Sequence, residues 1–249
     1  MQTPQQPAHA PTEGRVQGHD PHPTAPRLLI TAGPTQEPID AVRFIGNRSS
    51  GTLGIALAQA AADRGWPTTL LLGPVSRPTD GLEAARIAVH HFRTTADLES
   101  LLTEHASIAD VLVMAAAVAD YRPAPDEVDV SGKRRRTREE MVLKLEPTPD
   151  VLAGVAASKR PDQTFVGFAL EPRSEMLTSA RRKLDRKRVD LIVANPLETM
   201  DAKGIEATLI GRADGPLADV RPTPGVIDKS AFAVFLLDAI CEVRHADAR

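Results

Sequence analysis

Apolar positions along this chain fall into two recurring patterns, unbroken runs of four or five residues and segments in which small apolar residues return every three or four. The first marks strands buried on both faces and the second marks amphipathic helices. Arg27-Leu28-Leu29-Ile30-Thr31 opens the series as a buried strand and ends in the turn-forming run Ala32-Gly33-Pro34-Thr35. A polar loop follows, then a small-residue helix over 52–64 closed by Gly65, then a strand over 68–72. The alternation continues with a helix over 95–105, a strand over 110–116, a helix near 150–158 and a strand over 164–169. A helix over about 174–187, a strand over 190–194 and a last helix over about 229–243 complete it. The prediction is an α/β fold with a doubly wound, mainly parallel, Rossmann-like sheet. In such a sheet ligands bind beyond the carboxyl ends of the strands, so function belongs in the loops that follow them.

Residues 1–26 break the pattern, with six prolines, three of the seven histidines and no periodic apolar positions. They read as a disordered tail ahead of one domain over 27–249. With 249 residues and 42% apolar content the chain is long enough for one sizeable core. Its aromatic content is only 3%, so that core must be built from Ala, Val, Leu and Ile. The single cysteine excludes an internal disulfide or a multi-cysteine metal site and fits the cytoplasm. The longest apolar run covers 111–119, far short of the ~20 residues that cross a membrane. Met1-Gln2-Thr3-Pro4 lacks the basic start of a secretory signal. A net charge of −3 argues against a nucleic-acid coat.

Three segments carry candidate chemistry. Gly46-Asn47-Arg48-Ser49-Ser50-Gly51-Thr52-Leu53-Gly54 opens a helix after the first strand, where free backbone N–H groups and the helix dipole favour an anion. It is no P-loop, because Thr52-Leu53 stands where Lys and Ser or Thr are required, and it is not G-x-G-x-x-G either. Gly51 and Gly54 still permit close backbone approach, and Arg43, Asn47 and Arg48 stand just ahead of the helix. A nicotinamide site would also want an acid after the second strand, which instead ends Leu71-Leu72-Gly73-Pro74. In the second segment, Asp120 is the first polar residue after the apolar run and sits at the mouth of the sheet. A flexible excursion then ends in Lys133-Arg134-Arg135-Arg136, which reads as a solvated stretch, a nucleic-acid patch or a lid bringing cations onto phosphates. In the third, Lys183 and Lys187 share one helical face among arginines.

Taken together, Ile30-Thr31-Ala32-Gly33-Pro34-Thr35, the run from Asp40 through Gly51, Ala116-Ala117-Val118-Ala119-Asp120-Tyr121-Arg122, Val166-Gly167-Phe168-Ala169 and Asp190-Leu191-Ile192-Val193-Ala194-Asn195 resemble phosphopantothenate-cysteine ligase. This is the CoaB-type coenzyme A enzyme, often fused behind a flavin-dependent decarboxylase; no stretch of that length precedes Arg27, so a free-standing ligase is expected. The resemblance implies that 4'-phosphopantothenate attacks the α-phosphate of a nucleoside triphosphate, usually CTP, with Mg2+. Pyrophosphate leaves, and L-cysteine then displaces the nucleotide from the acyl-nucleotidylate. It implies a homodimer whose pocket is completed across the interface, and no nucleic acid or membrane partner. By matching position, Asn47 is the catalytic asparagine, Arg43 assists substrate binding and Lys133 is the lid lysine. Ala116, Ala117, Asp120, Phe168, Lys183 and Lys187 match nucleotide positions, alongside Gly51 at the helix start. The metal ligands stay open. Here the usual Lys-x-Lys-Lys lid is Lys133-Arg134-Arg135-Arg136, Asn-Pro-Asp is Thr148-Pro149-Asp150, and Pro196 follows Asn195 where Asp is common. The competing readings are an NAD(P)-dependent Rossmann oxidoreductase, opposed by the missing acid, and a nucleic-acid module, opposed by the scarcity of aromatics.

Overall fold

The computed structural model describes residues 25–200 and 202–247, and positions 1–24 of the expected tail lie outside them. In chain order the described elements begin with β1 (Leu28–Ala32), β2 (Glu37–Pro38), β3 (Phe44–Ile45), α1 (Thr52–Asp63), β4 (Thr68–Leu72) and α2 (Gly81–Ala84). Next come β5 (Ala88–His91), α3 (Thr95–His105), β6 (Val111–Met114), β7 (Tyr121–Pro123), β8 (Leu145–Pro147) and α4 (Val151–Ala156). The remainder is β9 (Thr164–Glu171), α5 (Met176–Lys187), β10 (Leu191–Pro196), β11 (Gly204–Ile205), β12 (Thr208–Gly211), β13 (Arg221–Pro222), β14 (Ile227–Asp228) and α6 (Lys229–Asp247).

Every residue of β1 and β6 is buried, as unbroken apolar runs require. Eight strands pair in the order β13-β12-β10-β9-β6-β1-β4-β5. The six from β10 to β5 are parallel. Taken by their rank in the chain they run 3-2-1-4-5-6 from the β5 edge, the doubly wound order with its reversal between β1 and β6. The short β12 and β13 continue the sheet antiparallel. The sequence pattern did not predict them, because four- and two-residue strands carry too few positions for a period to emerge.

Alternation along each strand divides the core. Leu28, Ile30 and Ala32 face Leu57, Ala58 and Ala61 of α1 and Leu236, Leu237 and Ile240 of α6. Leu29, Leu71 and Leu112 face Leu98 and Leu102 of α3, Leu152 of α4 and Leu184 of α5. Helices thus cover both faces. The core is aliphatic, with Phe165 and Phe232 the aromatics among its largest fully buried side chains.

The boundaries shift at places with local causes. β6 ends at Met114, short of the expected 116, because the Ala116 N–H bonds to the Thr31 hydroxyl at 3.0 Å. α4 covers only part of 150–158, capped by the Asp150 carboxylate on the Ala153 N–H, and α6 runs on to Asp247. His90 sits in β5, its ring 4.4 Å from that of His105. Among the described residues no helix is long and apolar enough to cross a membrane.

Candidate functional site

The close approach of α1 to β1 begins with two glycines. Gly51 caps the helix in the left-handed region at φ 68° and has no side chain of its own to cap the first turn, where the Thr52 N–H meets only the Ser50 hydroxyl, at 3.5 Å. A Cβ on Gly54 would collide with the Cβ of Ala32 and crowd the Thr31 carbonyl, so only glycine lets the helix start directly over the end of β1. The first-turn N–H groups and the positive end of the helix dipole therefore open onto the reversal point of the sheet. A cavity of about 720 Å³ lies there, walled by residues 46–54, by 115–118 with Asp120 after β6, and by Phe168, Lys183 and Asn195 from the neighbouring elements.

Asn47 joins its two main walls by donating from Nδ2 to the Val118 carbonyl at 2.8 Å, across 71 positions of sequence. A second cavity of about 370 Å³ shares Ala116, Val118, Asp120, Phe168 and Lys183 with the first and adds Asp150 and Lys187. Asn47, Gly51, Ala116, Ala117, Asp120, Phe168 and Lys183 thus meet in one place, with Lys187 in the adjoining lobe.

Both lysines are paired with carboxylates. Lys183 Nζ lies 2.6 Å from Glu171, which also accepts from the Ser179 hydroxyl at 2.8 Å. Burial pushes the Glu171 carboxyl up, but the bonds from Lys183 and Ser179 outweigh it and hold the group below the usual carboxylate range. Lys187 lies 2.7 Å from Asp150, where burial is likewise outweighed by Lys187 and the Ala153 N–H. Asp120 is the carboxylate that lines both lobes. Among the described residues no group of three or more His, Cys, Asp or Glu could hold a metal ion. The donor set suits a magnesium ion carried in by phosphates, which needs one or two protein carboxylates rather than a cage.

Arg43 and Lys133 line neither cavity. Arg43 pairs with the fully buried Asp40 carboxylate at 2.7 Å and donates to the Arg134 carbonyl at 2.6 Å. Asp40 also accepts from the N–H groups of Val42, Arg43 and Arg134. Burial pushes that carboxyl up, yet these backbone bonds and the Arg43 guanidinium hold it well below its ordinary range. The expected flexible excursion after Pro123 makes defined contacts with the rest of the chain. Its stem is the β7–β8 ribbon, and its middle is tied to the loop before β3 by the Arg134 bond and by the Ala41 N–H on the Gly132 carbonyl. Lys133 sits exposed between those two anchors.

Reasoning from sequence passed over Asn195, Thr199 and Lys229 as site residues, although all three line the larger cavity. Asn195 carried a readable signal, being the first polar residue after the apolar run of its strand, as Asp120 is of another. Lys229 carried none, since it reaches the cavity only because α6 folds back over the sheet from the end of the chain.

A doubly wound α/β sheet with an open helix N-terminus, small-residue backbone and lysines around a cavity at its reversal point places the chain in the Rossmann-like class of folds. Residues 24–243 match the family described as the DNA/pantothenate metabolism flavoprotein C-terminal domain, and the chain belongs to that family. It is 45% identical over 174 residues to a cysteine/cysteine sulfinic acid decarboxylase of an unknown prokaryotic organism, matching 69% of this chain and 46% of that protein. It is 44% identical over 177 residues to the coenzyme A biosynthesis bifunctional protein CoaBC of Mycobacterium bovis, matching 68% of this chain and 41% of that protein. The chain thus spans less than half the length of these relatives. The crystal structure of the C-terminal domain of a CoaBC protein superposes with a TM-score of 0.68 at 30% identity, covering 86% of this chain and 93% of that one.

Proposed function

We propose that this chain ligates 4'-phosphopantothenate to L-cysteine in coenzyme A biosynthesis, at the expense of a nucleoside triphosphate, with CTP the expected one. The observation that carries this reading is the convergence of Asn47, the open start of α1, the Ala116-Ala117 backbone, Asp120, Phe168 and Lys183 on one cavity. In the first step a pantothenate carboxylate oxygen bonds to the α-phosphorus and the bridge to the β-phosphate breaks, releasing pyrophosphate. In the second the cysteine amine bonds to the acyl carbon, gives up its proton, and the nucleoside monophosphate leaves. Each step crowds anions together, so donors and cations matter more than a nucleophilic side chain.

The first-turn N–H groups of α1 supply donors where an anion would rest. Lys183 and Lys187 exchange Glu171 and Asp150 for phosphate oxygens when the triphosphate enters, and Phe168 offers its ring beside the nucleotide. Asn47, already braced on Val118, places its amide against the acyl-nucleotidylate. Lys133 reaches the phosphates once its neighbours Gly132 and Arg134 are released from their bonds to Ala41, Asp40 and Arg43. Asp120 would hold a Mg2+ ion brought in with the phosphates, and the ion would supply neutralisation of charge on the triphosphate. Cys241 in α6 takes no part, since burial pushes its thiol up, away from reactivity.

Arg43, turned out of its own cavity, fits a pocket completed across a homodimer interface. The adjacent β2–β3 and β7–β8 ribbons expose Phe44 by 46% and Tyr121 by 55%, an apolar surface suited to a second copy. The decisive experiment is pyrophosphate release on mixing the protein with CTP, 4'-phosphopantothenate and magnesium, repeated with ATP, GTP and UTP. Release that requires both the acid and the metal is expected. Absence of turnover with every triphosphate, accompanied by tight NADP binding, would sink the proposal. Asn47→Asp should make the acyl-nucleotidylate form poorly or persist, and Lys133→Gln should slow its formation; wild-type turnover in both would remove those roles.

A further inference from the structure

The segment from Ala115 to Asp120 forms one wall of both cavities, yet it belongs to no strand or helix. Such a segment keeps its shape only if its polar groups are held one by one. The Ala115 N–H reaches the Thr31 carbonyl at 3.2 Å, the Ala116 N–H the Thr31 hydroxyl at 3.0 Å, and the Ala117 N–H the Gly33 carbonyl at 2.9 Å. The Ala119 N–H is the last, and it is held by a side chain, the Thr35 hydroxyl at 2.9 Å. Ala119 directly precedes Asp120, so this bond, together with the Thr148 N–H on the Asp120 carbonyl and the Thr148 hydroxyl on the Ala119 carbonyl, sets where the cavity's carboxylate emerges.

Thr35 does not act alone. Its Oγ1 lies 3.5 Å from Oγ1 of Thr95, and Thr95 donates its hydroxyl to Glu37 Oε1 at 2.7 Å while its N–H reaches the same oxygen at 2.8 Å. Thr35, Thr95 and Glu37 are all at least 97% buried. A hydroxyl has one proton to give. Because the carboxylate takes that of Thr95, none is left for Thr35, and at 3.5 Å the two hydroxyls only pack against each other, while a Thr35 lone pair accepts from the Ala119 N–H. We propose that Thr35, packed against the buried Glu37–Thr95 pair, is a positioning residue that aims the Ala119-Asp120 backbone at the nucleotide. Placing a nucleotide there rests on the functional reading above.

Thr35→Val keeps the shape of the side chain and removes the acceptor, whereas Thr35→Ser keeps the hydroxyl. CTP with magnesium is titrated calorimetrically into the full-length wild type and both variants, and amide exchange at Ala119 is followed in each without nucleotide. Thr35→Val is expected to weaken CTP binding at least tenfold and to lose protection at Ala119, with Thr35→Ser restoring both to within about twofold. A purely structural role would lower the Tm of Thr35→Val and leave affinity unchanged, and that result overturns the inference. Unchanged exchange at Ala119 overturns it too, whatever the nucleotide result. Should Thr35→Val fail to fold, Thr35→Ala removes the same acceptor with a smaller side chain and carries the same expectations, and its wild-type affinity and exchange would likewise overturn the proposal. Failure of the wild type to bind any triphosphate would instead strike the ligase reading, while the exchange arm still decides the role of Thr35 in holding the backbone.

Discussion

Under the proposed function, one side chain, Lys183, serves both the resting protein and its ligand. In the resting protein it neutralises Glu171 at the end of β9, and the same ammonium borders both lobes of the cavity. Removing it should weaken triphosphate binding more than it disturbs the fold, because the pair is part-exposed and such pairs add little stability. Lys183→Ala is expected to raise the KM for the triphosphate about tenfold, equivalent to ~1.4 kcal/mol, with the KM for cysteine unchanged. Equal rises in both would assign it a general structural role. The residue types were legible from the sequence, since lysines four apart share a face and an Asp closes an apolar run. Their ion-pair partners were not, because Asp150 lies 37 positions from Lys187 and no local pattern links the two.

At the scale of elements, the contact between α1 and β1 places the start of the helix against the larger cavity. Gly54→Ala sets a methyl against Ala32 where there is no room, and the helix must move outward. Overpacking of this kind costs ~1–3 kcal/mol. Chemical denaturation should show that loss, and CTP affinity should fall with it. Wild-type stability would mean that α1 does not sit as close as the structure has it. The long strands and helices were readable because their periods span many residues. The contacts of the basic loop were not readable because they come from elsewhere: Asp40 holds the Arg134 N–H from 94 positions away. Charge and proline content describe what a loop is made of, and not what it leans on.

Across the whole molecule two expectations follow. If the exposed ribbons meet a second copy, Phe44→Glu combined with Tyr121→Glu should yield a monomer by light scattering and cut turnover, since each pocket would then lack its neighbour. An unchanged dimer would place the interface elsewhere. The second concerns pH. Asp40, Asp110, Asp150 and Glu171 are all held below their ordinary ranges, Asp110 chiefly by the Arg27 side chain. Such groups take up protons more readily once unfolded, so the stability they contribute is present above the ordinary carboxylate pKa of ~4 and is lost as pH falls below it. The denaturation midpoint should be flat from about pH 7 to 5 and drop steadily below about pH 4. A midpoint that rises on acidification through that window would contradict these pairings.

The sequence by itself determined the alternation of elements, the parallel aliphatic core and the residue types gathered in each loop, because these depend on periods and turn chemistry within a few neighbours. Only the tertiary structure decided that the loops after β1 and β6 face each other, that Asn195 and Lys229 join them, and that Arg43 and Lys133 stand outside. Those outcomes follow from strand order and from hydrogen bonds between groups far apart in the chain. Two distant segments meet because the sheet places them side by side, and nothing in either segment alone records its neighbour.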